Sequence, residues 1–240
     1  MADFDPKKFI DREFEQELFE DLLQLKDQTR ILAIRDSGGM GKTQLLQKLQ
    51  YRCRTVKPRT PVSFISLDQL SDNHPLTLIK RIEQDLTALG LKFPNFEKYD
   101  RARISGDFSP ILSYIDLQDA DFKGASDIKM AGKMVNVEGS QAPVNVNLSV
   151  GELTPEQEAS AREACLRVFF DDLKEQCAEN PVVLLFDAYE KCEKSLKKWI
   201  EETNLLEKHF FDLTTRPKRL VLVVAGRETP KFETRWAPDD

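Results

Sequence analysis

Residues 30–50 read RILAIRDSGGMGKTQLLQKLQ, and the fold turns on how this stretch is read. Arg30–Arg35 is an apolar run of strand length. Glycine-rich punctuation follows, and then a helical pattern carries Leu45, Leu46 and Leu49 on one face. Between strand and helix stand Gly38, Gly39, Met40, Gly41, Lys42 and Thr43. A strand, a glycine turn and a helix form the context in which G-x-x-x-x-G-K-[ST] acts as a phosphate-binding loop. The first glycine of that pattern is absent, and Asp36 occupies its place.

The chemistry of such a loop is backbone chemistry. Successive N–H groups point inward, and the helix dipole favours an anion. Glycine serves where φ is positive or where the backbone must approach the phosphates closely. The expected cradle is Ser37, Gly38, Gly39, Met40, Gly41, Lys42, Thr43 and Gln44. Lys42 reaches the β- and γ-phosphates, and the Thr43 hydroxyl ligates Mg²⁺. The alternative is a glycine turn that binds nothing. Asp36 is expected to cap the loop backbone as an Asx-turn, with its carboxylate aimed away from the phosphates. Otherwise it weakens binding.

A Mg²⁺ site needs a second oxygen donor. The apolar run VVLLFD ends in Asp187, which is expected to hold the metal or its water, or else to cap a helix. An acid directly after it would polarise the attacking water, but Ala188 stands there. Glu190 is the nearest acid, read either as the water-positioning group or as a solvated residue at a helix start. Strand VLVVAG is followed by Arg227, read as a γ-phosphate contact or as a salt-bridge partner.

The rest of the chain sets the frame. It has 240 residues, 40% hydrophobic and 32% charged, enough for one large domain or two small ones. A net charge of −6 argues against broad nucleic-acid binding, although a local basic patch is not excluded. Cys53, Cys165, Cys177 and Cys192 form no C-x-x-C pair, and His74 and His209 are the two histidines. A Cys/His zinc site is therefore not expected, and buried free thiols are. The N-terminus lacks an apolar signal-peptide core, and no apolar run reaches the ~18 residues that span a bilayer. A cytoplasmic location is expected, with no membrane partner.

Working outward, residues 13–26 form an amphipathic pattern with Phe14, Leu18, Leu22 and Leu25 on one stripe. Residues 61–67 read as a strand. Residues 76–89 read as a helix after an Asp72 cap, closed by Gly90. Residues 108–115 suggest short helical turns. Residues 117–153 are polar and glycine-punctuated, with alternation at Val144, Val146, Leu148 and Val150. They read as an inserted β-ribbon or mobile loop within a domain covering 1–240. Thr154, Pro155 and Gln157 open a helix that runs to about Ala178, with Cys165, Val168, Phe169 and Leu173 inward. Residues 193–213 read as a long helix. Strands 182–187 and 219–225 are apolar without alternation, the pattern of strands covered on both faces. The expected class is α/β, a three-layer α/β/α P-loop NTPase with a mainly parallel sheet.

These motifs together resemble those of STAND signalling ATPases, the NB-ARC/NACHT class. SGGMGKTQLL is similar to their G-G-x-G-K-T-x-L loop. FIDREFEQELFEDLL is similar to their F-x-G-R-E-x-E-x-L segment, with Asp11 for glycine. VVLLFDAYE and VLVVAGRE resemble their acidic strand and their arginine-ended strand. The resemblance runs from Phe9 to Arg227. It implies that Ile10 and Arg12 line an adenine site and that Arg227 senses the nucleotide state. It also implies that ATP/ADP exchange drives self-association or acts on other domains of a larger protein. Ala188 implies slow hydrolysis. The thirteen residues after Arg227 leave no room for the family's closing domains, so an excised module of a longer protein is expected. The competing readings are an AAA+ ATPase acting on DNA, a non-enzymatic interaction domain with a vestigial site, and a small-molecule phosphotransferase. The basic clusters at 51–59 and 194–199 bear on the first of these.

Overall fold

The computed structural model describes residues 5, 9, 12–25, 29–69, 74–106, 155–192, 196, 200 and 217–230. They fall into two units, Met1–Phe93 with Phe169–Asp240, and Pro94–Val168. The elements expected at residues 108–115, in the 117–153 insert, at the Thr154 cap and over most of 193–213 lie outside the described residues. No described helix is long and apolar enough to cross a membrane.

The elements follow in the order α1 (Glu13–Gln24), β1 (Arg30–Arg35), α2 (Lys42–Thr55), β2 (Val62–Ser66), α3 (Pro75–Thr87), α4 (Pro94–Ser105), α5 (Pro155–Glu179), β3 (Val182–Asp187) and β4 (Leu220–Gly226). A short 3₁₀ turn, Tyr189–Lys191, follows β3. This is an α/β fold with a four-stranded sheet ordered β1-β4-β3-β2 and five α-helices among the described residues. Every strand pair is parallel. Every residue of β3 and β4 is buried, as the unbroken apolar runs require. In β1, Leu32 and Ile34 are buried while Ala33 and Arg35 are exposed.

A parallel sheet puts the carboxyl ends of all its strands on one edge, and the register fixes which residues meet there. Arg35 pairs with Gly226, Phe186 with Val224, and Ser66 with Asp187. The pairing continues past the strand ends. Asp36 N–H donates to the Gly226 carbonyl at 3.2 Å, and Leu67 N–H to the Asp187 carbonyl at 3.0 Å. The segments that leave β1, β4 and β3 therefore stand side by side.

One apolar cluster holds α1 and α2 to the sheet. It joins Phe19 to Leu45, Leu46, Leu49 and Cys53 of α2, and these to Leu32, Ile34, Val183, Leu185, Val221, Val223 and Ala225. The α1 stripe differs from the expected one. Phe14 is 73% exposed and Leu25 43% exposed, whereas Phe19 is fully buried with Leu18, Leu22 and Leu23 packed beside it. Two stripes on this helix satisfy a period of 3.6, and contact with α2 selects the one centred on Phe19. An ion pair between Glu20 and Arg52 also ties α1 to α2.

The cap of α3 is His74, whose Nδ1 accepts from Leu76 N–H at 3.2 Å; Pro75 opens the helix behind it. The expected Asp72 cap is thus replaced, and Gly90 with φ of 98° ends the following turn. In the second unit, α4 was not expected from the sequence pattern. It buries Phe96, Tyr99 and Ala102, and the first part of α5 buries Ala161, Ala164, Cys165 and Val168.

In the first unit, Phe169 is fully buried and stacks on Phe93 with ring centroids 5.3 Å apart. All four cysteines are buried and none forms a disulfide, and burial pushes the Cys53 thiol up to about 12. Phe169→Ala is expected to cost about 3–5 kcal/mol, by lost burial and the cavity left behind. Thermal unfolding of the variant is expected roughly 10 °C below wild type.

Candidate functional site

The loop after β1 bends where glycine is needed. Gly39 has φ of 81° and Gly41 has φ of 74°, and Gly41 is the N-cap of α2. A side chain at either position would be strained whatever the space around it. Lys42 opens α2 and folds back over the loop. Its Nζ donates to the Asp36 carbonyl at 2.8 Å and to the Ser37 carbonyl at 2.6 Å. The ammonium is thereby held against the loop rather than out along the helix.

Thr43 and Asp187 lie 144 positions apart in sequence, and the structure joins them. Thr43 Oγ1 donates to Asp187 Oδ2 at 2.7 Å. Asp187 is 5% exposed at the end of a fully buried strand. Burial raises its pKa. Hydrogen bonds from Thr43 and from the Ala188 backbone oppose that rise, and the negative charges of Asp68 and Glu190 add to it. Ala188 takes left-handed φ and ψ of 58° and 43°, uncommon outside glycine, as the chain turns from β3 into the 3₁₀ turn.

That turn delivers Glu190 towards β4. Glu190 Oε2 accepts from Arg227 N–H at 2.8 Å, and its Oε1 lies 3.7 Å from Arg227 Nε. The approach is possible because residue 226 is glycine. A Cβ there would stand 2.5 Å from the Glu228 carbonyl oxygen and 2.8 Å from Glu190 Oε2. The Arg227 guanidinium in turn lies against Gly38, where a Cβ would come within 2.8 Å of its terminal nitrogen. Since β4 sits between β1 and β3, Arg227 emerges between the glycine loop and Asp187.

These groups line one cavity of about 350 Å³, bounded by Gly38–Gln44 on one side and by Asp187, Ala188, Glu190, Gly226 and Arg227 on the other. The size falls within the range of small-molecule sites. Ser37 lies just outside it, in an adjoining depression with Arg35, Asp36, Gly38 and Arg227. Of the expected site residues, Lys42, Thr43, Asp187, Glu190 and Arg227 are thus brought together. Ile10 lies outside the described residues.

Arg12 stands at the loop's entrance. Its guanidinium is paired with Asp36 and donates to the Met40 carbonyl at 3.0 Å and to Glu15 Oε1 at 2.6 Å. Asp36 Oδ1 accepts from its neighbour Ser37 N–H at 2.7 Å. That is a contact with the next residue rather than the Asx-turn expected. The ion pair and the Ser37 contact hold the Asp36 carboxyl below its ordinary pKa. Two groups were missed from sequence. One is Arg12 as the partner of Asp36, signalled by an acid standing where a glycine is usual. The other is Asp68, just past the end of β2, whose carboxylate accepts from Ser66 Oγ at 2.6 Å and whose charge is felt by Asp187.

The chain matches no protein-family model, and neither characterised proteins nor solved structures give a significant match. The geometry is therefore the ground for a functional reading. It combines a glycine-bearing loop at a helix N-terminus, a cation bonded to that loop, a hydroxyl on a buried carboxylate and an arginine between them.

Asp187 generates a stability prediction. A carboxyl whose folded pKa is raised costs nothing below its unfolded value, about 3.9, where both states are neutral. Stability falls as pH rises through the folded value and stays lower above it. Asp187→Asn keeps an acceptor for Thr43 and removes the buried charge. The variant is expected to melt at or above wild type at pH 7, with the two melting temperatures converging as pH falls towards about 4. Thermal melts across that range check it. A variant melting well below wild type at neutral pH would contradict the assignment.

Proposed function

We propose that the cavity binds a nucleoside triphosphate with Mg²⁺, and that the chain is an ATP-binding switch module of the STAND type. The hydrogen bond from Thr43 to the buried Asp187 carries this reading. It gathers, next to a glycine-rich helix N-terminus, the two hard oxygen donors that a phosphate-bound Mg²⁺ takes from a protein. Among the described residues no group of three or more His, Cys, Asp or Glu could hold a metal ion alone. A magnesium ion shared with phosphates needs only one or two protein donors, so the residues present fit. Thr43 and Asp187 would hold it, and when bound it would neutralise charge developing on the phosphates.

The chain's own residues divide the remaining work. The backbone N–H groups of Gly38–Thr43 face the phosphate oxygens, and the Lys42 ammonium neutralises them. Arg227, fixed by Glu190 and lying on Gly38, is the cation this reading assigns to a terminal phosphate. Glu190 is the carboxylate closest to a water-positioning role, yet it is engaged by Arg227 through backbone and side chain. With Ala188 after Asp187, this arrangement favours binding over fast hydrolysis. A binding event that repositions Arg227 and Glu190 would alter the surface at the carboxyl ends of the strands. That surface is where a switch would control self-association or another domain.

Calorimetric titration of ATP·Mg²⁺ tests the reading. Wild type is expected to bind, with turnover below the ~1–10³ s⁻¹ usual for enzymes. Lys42→Ala is expected to weaken binding by about ten- to a hundredfold, the worth of a charge-assisted contact. Absence of binding by wild type would overturn the proposal and leave the interaction-domain reading in its place.

A further inference from the structure

A phosphate loop with a carboxylate at its entrance has an electrostatic problem. Asp36 directly follows β1, and its own carbonyl is a partner of Lys42. An unpaired negative charge there would repel any polyphosphate entering the cradle. The structure gives this carboxylate a specific counter-charge. The Arg12 guanidinium pairs with Asp36 Oδ2 and donates to the Met40 carbonyl at 3.0 Å. Asp36 and Met40 flank the turn that contains Ser37, Gly38 and Gly39, so one side chain clasps both ends of it.

Arg12 is itself held in place. It adopts left-handed φ and ψ of 68° and 34° as the residue preceding α1, a conformation uncommon for arginine. Its guanidinium is oriented from the helix side by Glu15, at 2.6 Å. The helix is anchored on α2 by the fully buried Phe19 and by the Glu20–Arg52 ion pair. Because α2 begins at the loop's own Lys42, the clasp closes on a frame shared with the loop.

We propose that Arg12 is a positioning residue for polyphosphate binding: it neutralises Asp36 and fixes the loop between Asp36 and Met40, which lets a loop without its first glycine accept phosphates. This rests on the reading of the cavity as a nucleoside triphosphate site. It differs from the adenine-lining role that the family resemblance implies, because a clasp acts on phosphates whatever base they carry.

The test uses the full chain, with ATP·Mg²⁺ titrated directly and inorganic triphosphate measured by competition. Arg12→Ala is expected to weaken both by about five- to tenfold, the scale of a part-exposed charge pair plus an uncovered carboxylate. Adding Asp36→Asn to Arg12→Ala is expected to restore most of the affinity for both, because the repulsive charge is gone. Melting temperatures of the variants separate this recovery from a change in stability, and Arg12→Gln replaces Arg12→Ala if that variant does not fold. A loss confined to ATP and not restored by Asp36→Asn would overturn the proposal and assign Arg12 to the base. An unchanged affinity in Arg12→Ala would also overturn it. A wild type that binds neither probe removes the phosphate-site reading itself, and this proposal with it.

Discussion

The burial of β3 and β4 on both faces is the constraint on which everything else rests. Strands covered on both sides pair in parallel here, and parallel pairing aligns their carboxyl ends. The loop after β1, the acid after β3 and the arginine after β4 come from three separate parts of the chain. They meet because the sheet has one polarity and because β4 lies between β1 and β3. The groups around the cavity are thus products of sheet order before they are products of local sequence. Open parallel sheets receive ligands in the crevice outside these strand ends, the region where the cavity lies.

Two close approaches then sharpen the arrangement. Gly226 lets the Glu190 carboxylate reach the backbone of the strand's last turn, and Gly38 lets the Arg227 guanidinium lie on the loop. Neither glycine is there for positive φ, unlike Gly39 and Gly41. Glycine thus serves two purposes within one cavity wall, conformational freedom at two positions and lack of bulk at two others. Arg227 depends on both of the latter, since its backbone is held by Glu190 and its head group rests on Gly38.

Much of this was legible in the sequence. The apolar runs of β3 and β4, the glycine loop and the inward faces of α2 and α5 each follow from a local pattern that the packing then obeys. What was missed required knowledge of neighbours. The α1 stripe could be drawn through Phe14 or through Phe19, and only contact with α2 decides. In α4 the apolar side chains Phe96 and Tyr99 stand among charges, too few to mark a period. His74 caps α3 through a ring nitrogen, a use that the usual capping preferences rank below an aspartate. The partner of Asp36 lies 24 positions upstream, beyond the range of any turn pattern. The pairing of Thr43 with Asp187 was legible as chemistry, and the sheet supplies the distance.

The position of Lys42 has a thermodynamic consequence. Its ammonium is not an idle charge at the end of a flexible stem, because two carbonyls of the preceding loop already hold it. An ammonium has three N–H groups and these bonds engage two of them, so one donor remains for a further acceptor. Part of the ordering entropy of the long side chain is spent in folding and is not charged again on association. At the remaining donor a negatively charged acceptor is favoured over a neutral one, because a bond from an ammonium to an anion is the stronger.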